Sequence, residues 1–207
     1  MTGVRYCTIP IDIISYQSPG KAAGSTRRSH QLQLLLDQLD LPSGRLDEAA
    51  LARVVLAVAS SPSIYDDLVV DDPAHRWWMT LHEARNFDLR VLSWGPDQSS
   101  GWHDHGGSSG AFTVTSGAVA ERSRADDAVG VTTRDFSVGQ FATFGPGHVH
   151  DVEYMSGHPA VSIHAYSPPL TGLTYYERTE LGFVARGVVD EERRSAFETP
   201  SGRPVGV

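Results

Sequence analysis

Two histidines one residue apart, His103 and His105, lie between glycines in the stretch Gly101-Trp102-His103-Asp104-His105-Gly106-Gly107. In an extended chain alternate side chains share a face, so both imidazoles point the same way. Two imidazoles side by side supply half of a transition-metal site. The other half must come from elsewhere. Downstream, Gly145-Pro146-Gly147-His148-Val149-His150 reads as a tight turn that hands a histidine to the next strand. His148 and His150 therefore compete as third ligand. A further set, Ser162, His164 and Tyr166, alternates along one segment, so one strand face carries a hydroxyl, an imidazole and a phenol. Such a row can hand a proton along and aim the phenol at a bound ligand. His30, His75, His82 and His158 have no comparable company and read as surface residues, His158 in a turn.

These groups need a rigid frame. From Arg76 onward short apolar runs are separated by Gly, Pro, Asp and Ser every 8–12 residues or so, the texture of an all-β sandwich or barrel. The expected strands are 76–81, 87–93, 102–105, 111–116, 118–123, 130–136, 140–144, 150–154, 160–167 and 171–177. Before them, Ser29 is a candidate cap for a helix carrying Leu32, Leu35, Leu36 and Leu39. Ser43 or Asp47 starts a second helix through Leu51, Val54, Val55 and Val58, and a third short helical piece covers 64–68. The spacing thus predicts one domain over 1–207: a loosely attached arm over 1–29, a helical cap over 30–70, a β-barrel over 76–180 and a solvated tail over 187–207.

Composition narrows the function. The chain has 207 residues, 40% hydrophobic and 20% charged, with a net charge of −8. An acidic chain is a poor partner for nucleic acid, since phosphates call for a basic surface. Cys7 is the only cysteine, so no intramolecular disulfide forms and a reducing compartment is expected. No apolar run is long enough to span a bilayer, and the first residues lack the pattern of a signal peptide. A cytoplasmic protein, acting as a monomer without membrane or nucleic-acid partners, is the expectation.

The two histidine segments resemble the two motifs of the cupin superfamily, whose fold is a double-stranded β-helix or jelly-roll barrel. In the first motif, Gly110 stands where a Glu is usual. The second usually reads Pro-x-Gly-x-x-His-x-x-x-Asn; here it is Pro146-Gly147-x-x-His150, one residue shorter, with Tyr154 in place of the usual Asn. That spacing, and its place at a strand start, favour His150 over His148. Three histidines without the Glu resemble the cysteine dioxygenase-type thiol dioxygenases. Leu92-Ser93-Trp94-Gly95 before the ligand pair, and Ser162-Ile163-His164-Ala165-Tyr166-Ser167-Pro168-Pro169, are similar to that family's motifs. The match runs over 76–178.

The resemblance implies an Fe(II) centre held by His103, His105 and His150, and oxidation of a small thiol by O2 to its sulfinate. L-cysteine is the default substrate. It further implies Tyr166, fixed by His164 and Ser162, at the reacting centre, and a cis Ser167–Pro168 peptide. Where some members carry a cysteine cross-linked to the tyrosine, Gly110 leaves Tyr166 an unmodified phenol. Members acting on cysteine clamp its carboxylate with an aromatic-x-Arg element. The aligned residues here are Trp78-Met79-Thr80, so Thr80 occupies the arginine's place. Arg76, on the same face, is the better replacement candidate, with Arg90 on the next strand as the other. Without that clamp another small thiol, such as a mercapto-acid, becomes the alternative. From other classes, a cupin isomerase, lyase or hydrolase on the same metal, or a non-catalytic metal-binding cupin, compete.

Overall fold

In a computed structural model, which describes residues 22–127 and 129–190, two helices precede eight strands. Helix α1 spans Ala22–Asp37 and α2 spans Glu48–Ala59, followed by two short 3-10 turns, Pro62–Ile64 and Asp66–Leu68. The strands are β1 (Trp77–Glu83), β2 (Asp88–Trp94), β3 (Ser109–Arg124), β4 (Val131–Ser137), β5 (Phe141–Phe144), β6 (His150–Ser167), β7 (Gly172–Thr179) and β8 (Gly182–Asp190). Asp47 caps α2, its carboxylate accepting from the Ala50 backbone N–H at 2.8 Å. Such a cap is worth about 1 kcal/mol.

Two long strands organise the sheet. β3 and β6 run antiparallel along most of their lengths and bend together, with register shifts at Val114, Ser116 and Ala118. The bend needs Gly117. Its φ is +65°, and a Cβ there would sit 2.1 Å from the Ser156 carbonyl. The first half of β3 pairs with β5 and the second half of β6 with β2, which carries β1, while the second half of β3 pairs with β4. Single bridges Ser99–Glu153, His103–His150 and His103–Tyr175 then attach the 98–105 segment, and through it the β7–β8 hairpin, to β6. The result is two layers sharing β3 and β6, an open cupin rather than a closed barrel.

Each layer's faces have different company. Leu89 and Val91 of β2, with Val161, Ile163 and Ala165 of β6, pack under Leu51, Val54, Val55 and Val58 of α2. Fully burying each such side chain contributes roughly 1.5–3 kcal/mol. The intervening residues, Leu92 and Trp94 of β2 and Ala160 and Tyr166 of β6, face the second core between the layers. Both faces of β2 are thus covered, and all seven of its residues are buried. This places polar side chains of β2 and β6 in the interior.

Several boundaries differ from the sequence reading. Residues 1–21 of the expected arm lie outside the described residues, and 22–29 belong to α1, so Ser29 lies inside the helix rather than capping it. Helix formers Ala22, Ala23, Arg27 and Arg28 carry the chain through Gly24 and Ser25. The segment 102–105 is no strand of its own: Gly101, Gly106 and Gly107, all at positive φ, limit its pairing to single bridges. Segments 111–116 and 118–123 are one strand, as are 150–154 and 160–167, because the chain bends at Gly117 and Gly157 without leaving the ladder. The expected tail begins inside β8. That strand is mostly exposed and held by its ladder to β7, so no apolar alternation marks it; residues 191–207 of the tail lie outside the described residues. The Ser167–Pro168 peptide is cis, as is His158–Pro159.

Candidate metal centre

The 102–106 segment is clamped from both sides. His103 and His150 exchange backbone hydrogen bonds, N–H to O, at 2.9 and 3.0 Å. On the other side Asp104 N–H donates to the Thr174 carbonyl, and Tyr176 N–H donates to the Trp102 carbonyl. Asp104 accepts from the Tyr176 hydroxyl at 2.7 Å and from the Gly106 N–H at 2.9 Å. Residues directly opposed across an antiparallel pair project to the same face, so His103 and His150 point together into the interior, and His105 follows by alternation.

The three rings form a near-equilateral group. Ring centroids of His103–His105, His103–His150 and His105–His150 are each 4.9 Å apart. All three are buried, and their ligand atoms lie within 4.8 Å of one another. Two tautomers are set by neighbours. His103 Nδ1 is 2.8 Å from the Gly101 carbonyl, an acceptor only, so Nδ1 carries the hydrogen and Nε2 the lone pair. His150 Nδ1 is 2.7 Å from Glu121 Oε1, with the same consequence. His105 is 2% exposed, and neither of its ring nitrogens has a hydrogen-bond partner. Buried polar atoms normally find one. An orphaned imidazole beside two others that present lone pairs fits a cation.

Electrostatics agree. Burial, then the neighbouring histidines, hold His105 well below the usual imidazole range. Burial also lowers His150, against the opposing pull of Glu121. Neutral imidazoles are what a metal requires. Burial pushes the Glu121 carboxyl up, but hydrogen bonds from His148 and His150 outweigh it and bring it down to about 2. His148, half-buried at the turn, donates its Nε2–H to the same Glu121 oxygen at 3.0 Å and stays outside the three-ring group.

Gly110 faces this group, where the cupin pattern has its Glu. A Cβ added there would lie 2.2 Å from Phe144 Cζ and 3.1 Å from Tyr166 Cδ1. Phe144 fills the slot. It stacks on His105 at 4.7 Å and on His148 at 5.0 Å. No carboxylate joins the three-histidine group among the described residues.

A cavity with about 430 Å³ of empty space, its open mouth included, adjoins His103 and His150. His164 and Tyr166 line it, and Ser162 stands behind them in one chain: Ser162 Oγ to His164 Nε2 at 2.8 Å, and His164 Nδ1 to the Tyr166 hydroxyl at 3.2 Å. The sequence reading missed Trp94, whose indole Nε1–H donates to Ser162 Oγ at 2.8 Å. An indole only donates, so the hydroxyl of Ser162 is left to donate to His164 Nε2, and His164 Nδ1–H donates to Tyr166. Burial is the main reason that His164 is lowered to about 3, so it is neutral at ordinary pH.

Arg76 and Arg90 both line the cavity, and Thr80 does not. Thr80 sits half-buried opposite Arg90 on β1, while Trp78 forms the wall. Arg90 pairs with Asp88 at 2.6 Å, both buried, and lies 4.9 Å over the Trp78 ring. Arg76 lies 4.9 Å over the Trp94 ring. His30, His75 and His158 are exposed as expected, but His158 lies within β6 rather than in a turn, and His82 is half-buried beside Phe87.

A family model described as cysteine dioxygenase type I matches residues 21–179. No curated protein matches the sequence. Among solved structures, the chain is similar to a protein with a double-stranded β-helix domain from Klebsiella pneumoniae, at 19% identity over 52% of this chain and 90% of that one, TM-score 0.45. A Thermus thermophilus protein is similar at 19% identity, over 50% and 93% of the two chains, TM-score 0.45. An RmlC-like cupin from Desulfovibrio desulfuricans is similar at 17% identity, over 49% and 90%, TM-score 0.42. Among the described residues no helix is long and apolar enough to cross a membrane.

Proposed function

Because the chain belongs to the cysteine dioxygenase type I family, we propose that it is an Fe(II)-dependent thiol dioxygenase. It takes a small carboxylate-bearing thiol, L-cysteine by default, and O2 to the sulfinate. The observation that carries this reading is the buried three-imidazole group with no carboxylate in it, opening on a cavity walled by two arginines. His103, His105 and His150 would hold the metal. Ferrous iron bound there supplies the place where thiol and O2 meet, both oxygen atoms ending on sulfur. Zinc suits the same imidazoles; the choice of iron comes from the family.

The chain's own residues do the rest. A guanidinium matches a carboxylate in shape and charge, and Arg76 is the residue we assign to that clamp. Arg90, tied to Asp88, shapes the wall and supports the Tyr166 ring at 5.9 Å. Thr80 has no part in this reading. Tyr166 is hydrogen-bonded to His164 and lines the cavity, where its phenol would meet substrate or oxygen. Ser162 and His164 orient that phenol. Leu92, Leu170 and Leu173 keep the site apolar. A reducing, cytoplasmic setting, where thiols stay reduced, and action as a monomer belong to the same reading.

One observation favours a second substrate. Among the described residues lining the cavity two are arginines and none is a carboxylate. An ammonium group finds no anionic partner there, so a mercapto-acid, cysteine without its amine, fits the wall as well. The test is anaerobic loading with Fe(II), exposure to O2, and mass spectrometry of L-cysteine, cysteamine and 3-mercaptopropionate for a gain of two oxygen atoms. Turnover of the carboxylate-bearing thiols alone is expected. Oxygen consumption with none of them rejects the dioxygenase reading.

A further inference from the structure

The three imidazoles differ in what stands behind them. His103 is backed by a neutral carbonyl, that of Gly101, and His105 by no hydrogen-bond partner at all. His150 is backed by a carboxylate, Glu121, at 2.7 Å. Glu121 lies on β3, opposite Val152 of β6, with its side chain in the interior and 5% exposed. A buried carboxylate costs several kcal/mol unless its charge is used. Here one oxygen, Oε1, takes both of its hydrogen bonds, from His150 and from His148 at 3.0 Å. Meanwhile the position that would put a carboxylate directly on the metal is closed, because Phe144 occupies the space a side chain at Gly110 needs.

We infer that Glu121 is a positioning residue that supplies the metal centre's missing negative charge through the His150 ring. Its carboxylate fixes the Nδ1–H form of His150, turns Nε2 to the cation, and makes that imidazole the strongest donor of the three. His148 shares the same oxygen and draws part of the charge toward the mouth. The inference rests on the reading that His103, His105 and His150 hold the metal.

Two readouts test it on the full chain: Fe(II) affinity, by competition with a chelator under anaerobic conditions, and the Fe(III)/Fe(II) midpoint potential. Glu121→Gln keeps an acceptor of the same size and removes the charge. Loss of such an outer carboxylate weakens metal binding by roughly 10–100-fold, and the potential is expected to rise. Glu121→Asp keeps the charge and is expected to hold the potential near that of the parent protein. His148→Ala leaves the charge to His150 alone and is expected to lower the potential. Because His148 is partly exposed, this variant remains available if Glu121→Gln does not fold. Shifts of opposite sign for the two sites are something a merely structural defect does not produce. Affinity within twofold of the parent in Glu121→Gln, or an unchanged potential in either Glu121→Gln or His148→Ala, overturns the inference. Unchanged Fe(II) binding in His103→Ala and His150→Ala rejects instead the ligand reading beneath it.

Discussion

β6 carries two fully buried histidines, one at each end, and they live in opposite chemistry. His150 opens the strand with a carboxylate behind its Nδ1 and two more imidazoles in front. His164 lies near the strand's end between a hydroxyl and a phenol, with an indole behind the hydroxyl. Burial lowers both. The difference lies in the partner. An anion behind an imidazole makes its other nitrogen a better donor to a cation. A chain that begins at a donor-only indole gives the imidazole no charge, only a fixed direction. The same residue on the same strand thus serves as ligand at one end and as a directed dipole at the other, which argues that His164 aims Tyr166 rather than carrying protons away from it.

The sharpest way to break this contrast is to remove each histidine in turn. His150→Ala should abolish both Fe(II) binding and turnover. Retained iron would mean that another group, His148 first, completes the site. His164→Gln should leave iron affinity within about twofold. Turnover should fall about tenfold, the order expected when one hydrogen bond orienting a reacting group, worth about 1.4 kcal/mol, is lost. If His164→Gln also lost iron, the two ends would not be separate devices.

That contrast was only half visible in the sequence. His103, His105 and His150 could be picked out because a His-x-His pair and a Pro-Gly turn are local signals. Ser162, His164 and Tyr166 could be picked out because strand alternation is local too. Glu121 could not. In Ala118-Val119-Ala120-Glu121-Arg122 it reads as the first outward charge of a strand, and it reaches His150 only because β3 pairs with β6 in one particular register. Trp94 was in plain view as part of a strand before the ligand pair, yet its bond to Ser162 depends on the β2–β6 register that sets Leu92 opposite Ser162. Phe144 answers Gly110 across the β3–β5 pair in the same way. Long strands that bend at glycine read as two short ones, and β8 escaped notice because it is mostly exposed.

Trp94 offers a finer probe of the directed end. Trp94→Phe keeps an aromatic ring and removes the indole N–H, so Ser162 loses the donor that fixes which way its hydroxyl points. Turnover should fall by a few fold, less than for His164→Gln, with Fe(II) affinity unchanged. The discriminating measurement is the split between kcat and KM. A tyrosine held less firmly lowers kcat, whereas a reshaped cavity wall, on which Arg76 rests, raises KM. A pure KM effect would recast Trp94 as part of the carboxylate clamp.

The smallest effect is on stability, and pH isolates it. In the metal-free protein His164 titrates at about 3 when folded, against about 6.5 in an unfolded chain. Between those values the unfolded chain holds a proton that the native state lacks. Stability therefore falls as pH drops through this window, by up to about 1.4 kcal/mol per pH unit for this one group. His164→Gln removes that proton from the balance. Its urea-unfolding free energy should decline less between pH 6.5 and 4.5 than that of the parent, even though the variant starts from a lower stability at pH 7. His150→Gln should flatten the same curve less, since Glu121 already pulls the His150 value back up. Equal flattening by the two substitutions would show that the carboxylate makes no difference to the imidazole it touches, and the two ends of β6 would then differ in geometry alone.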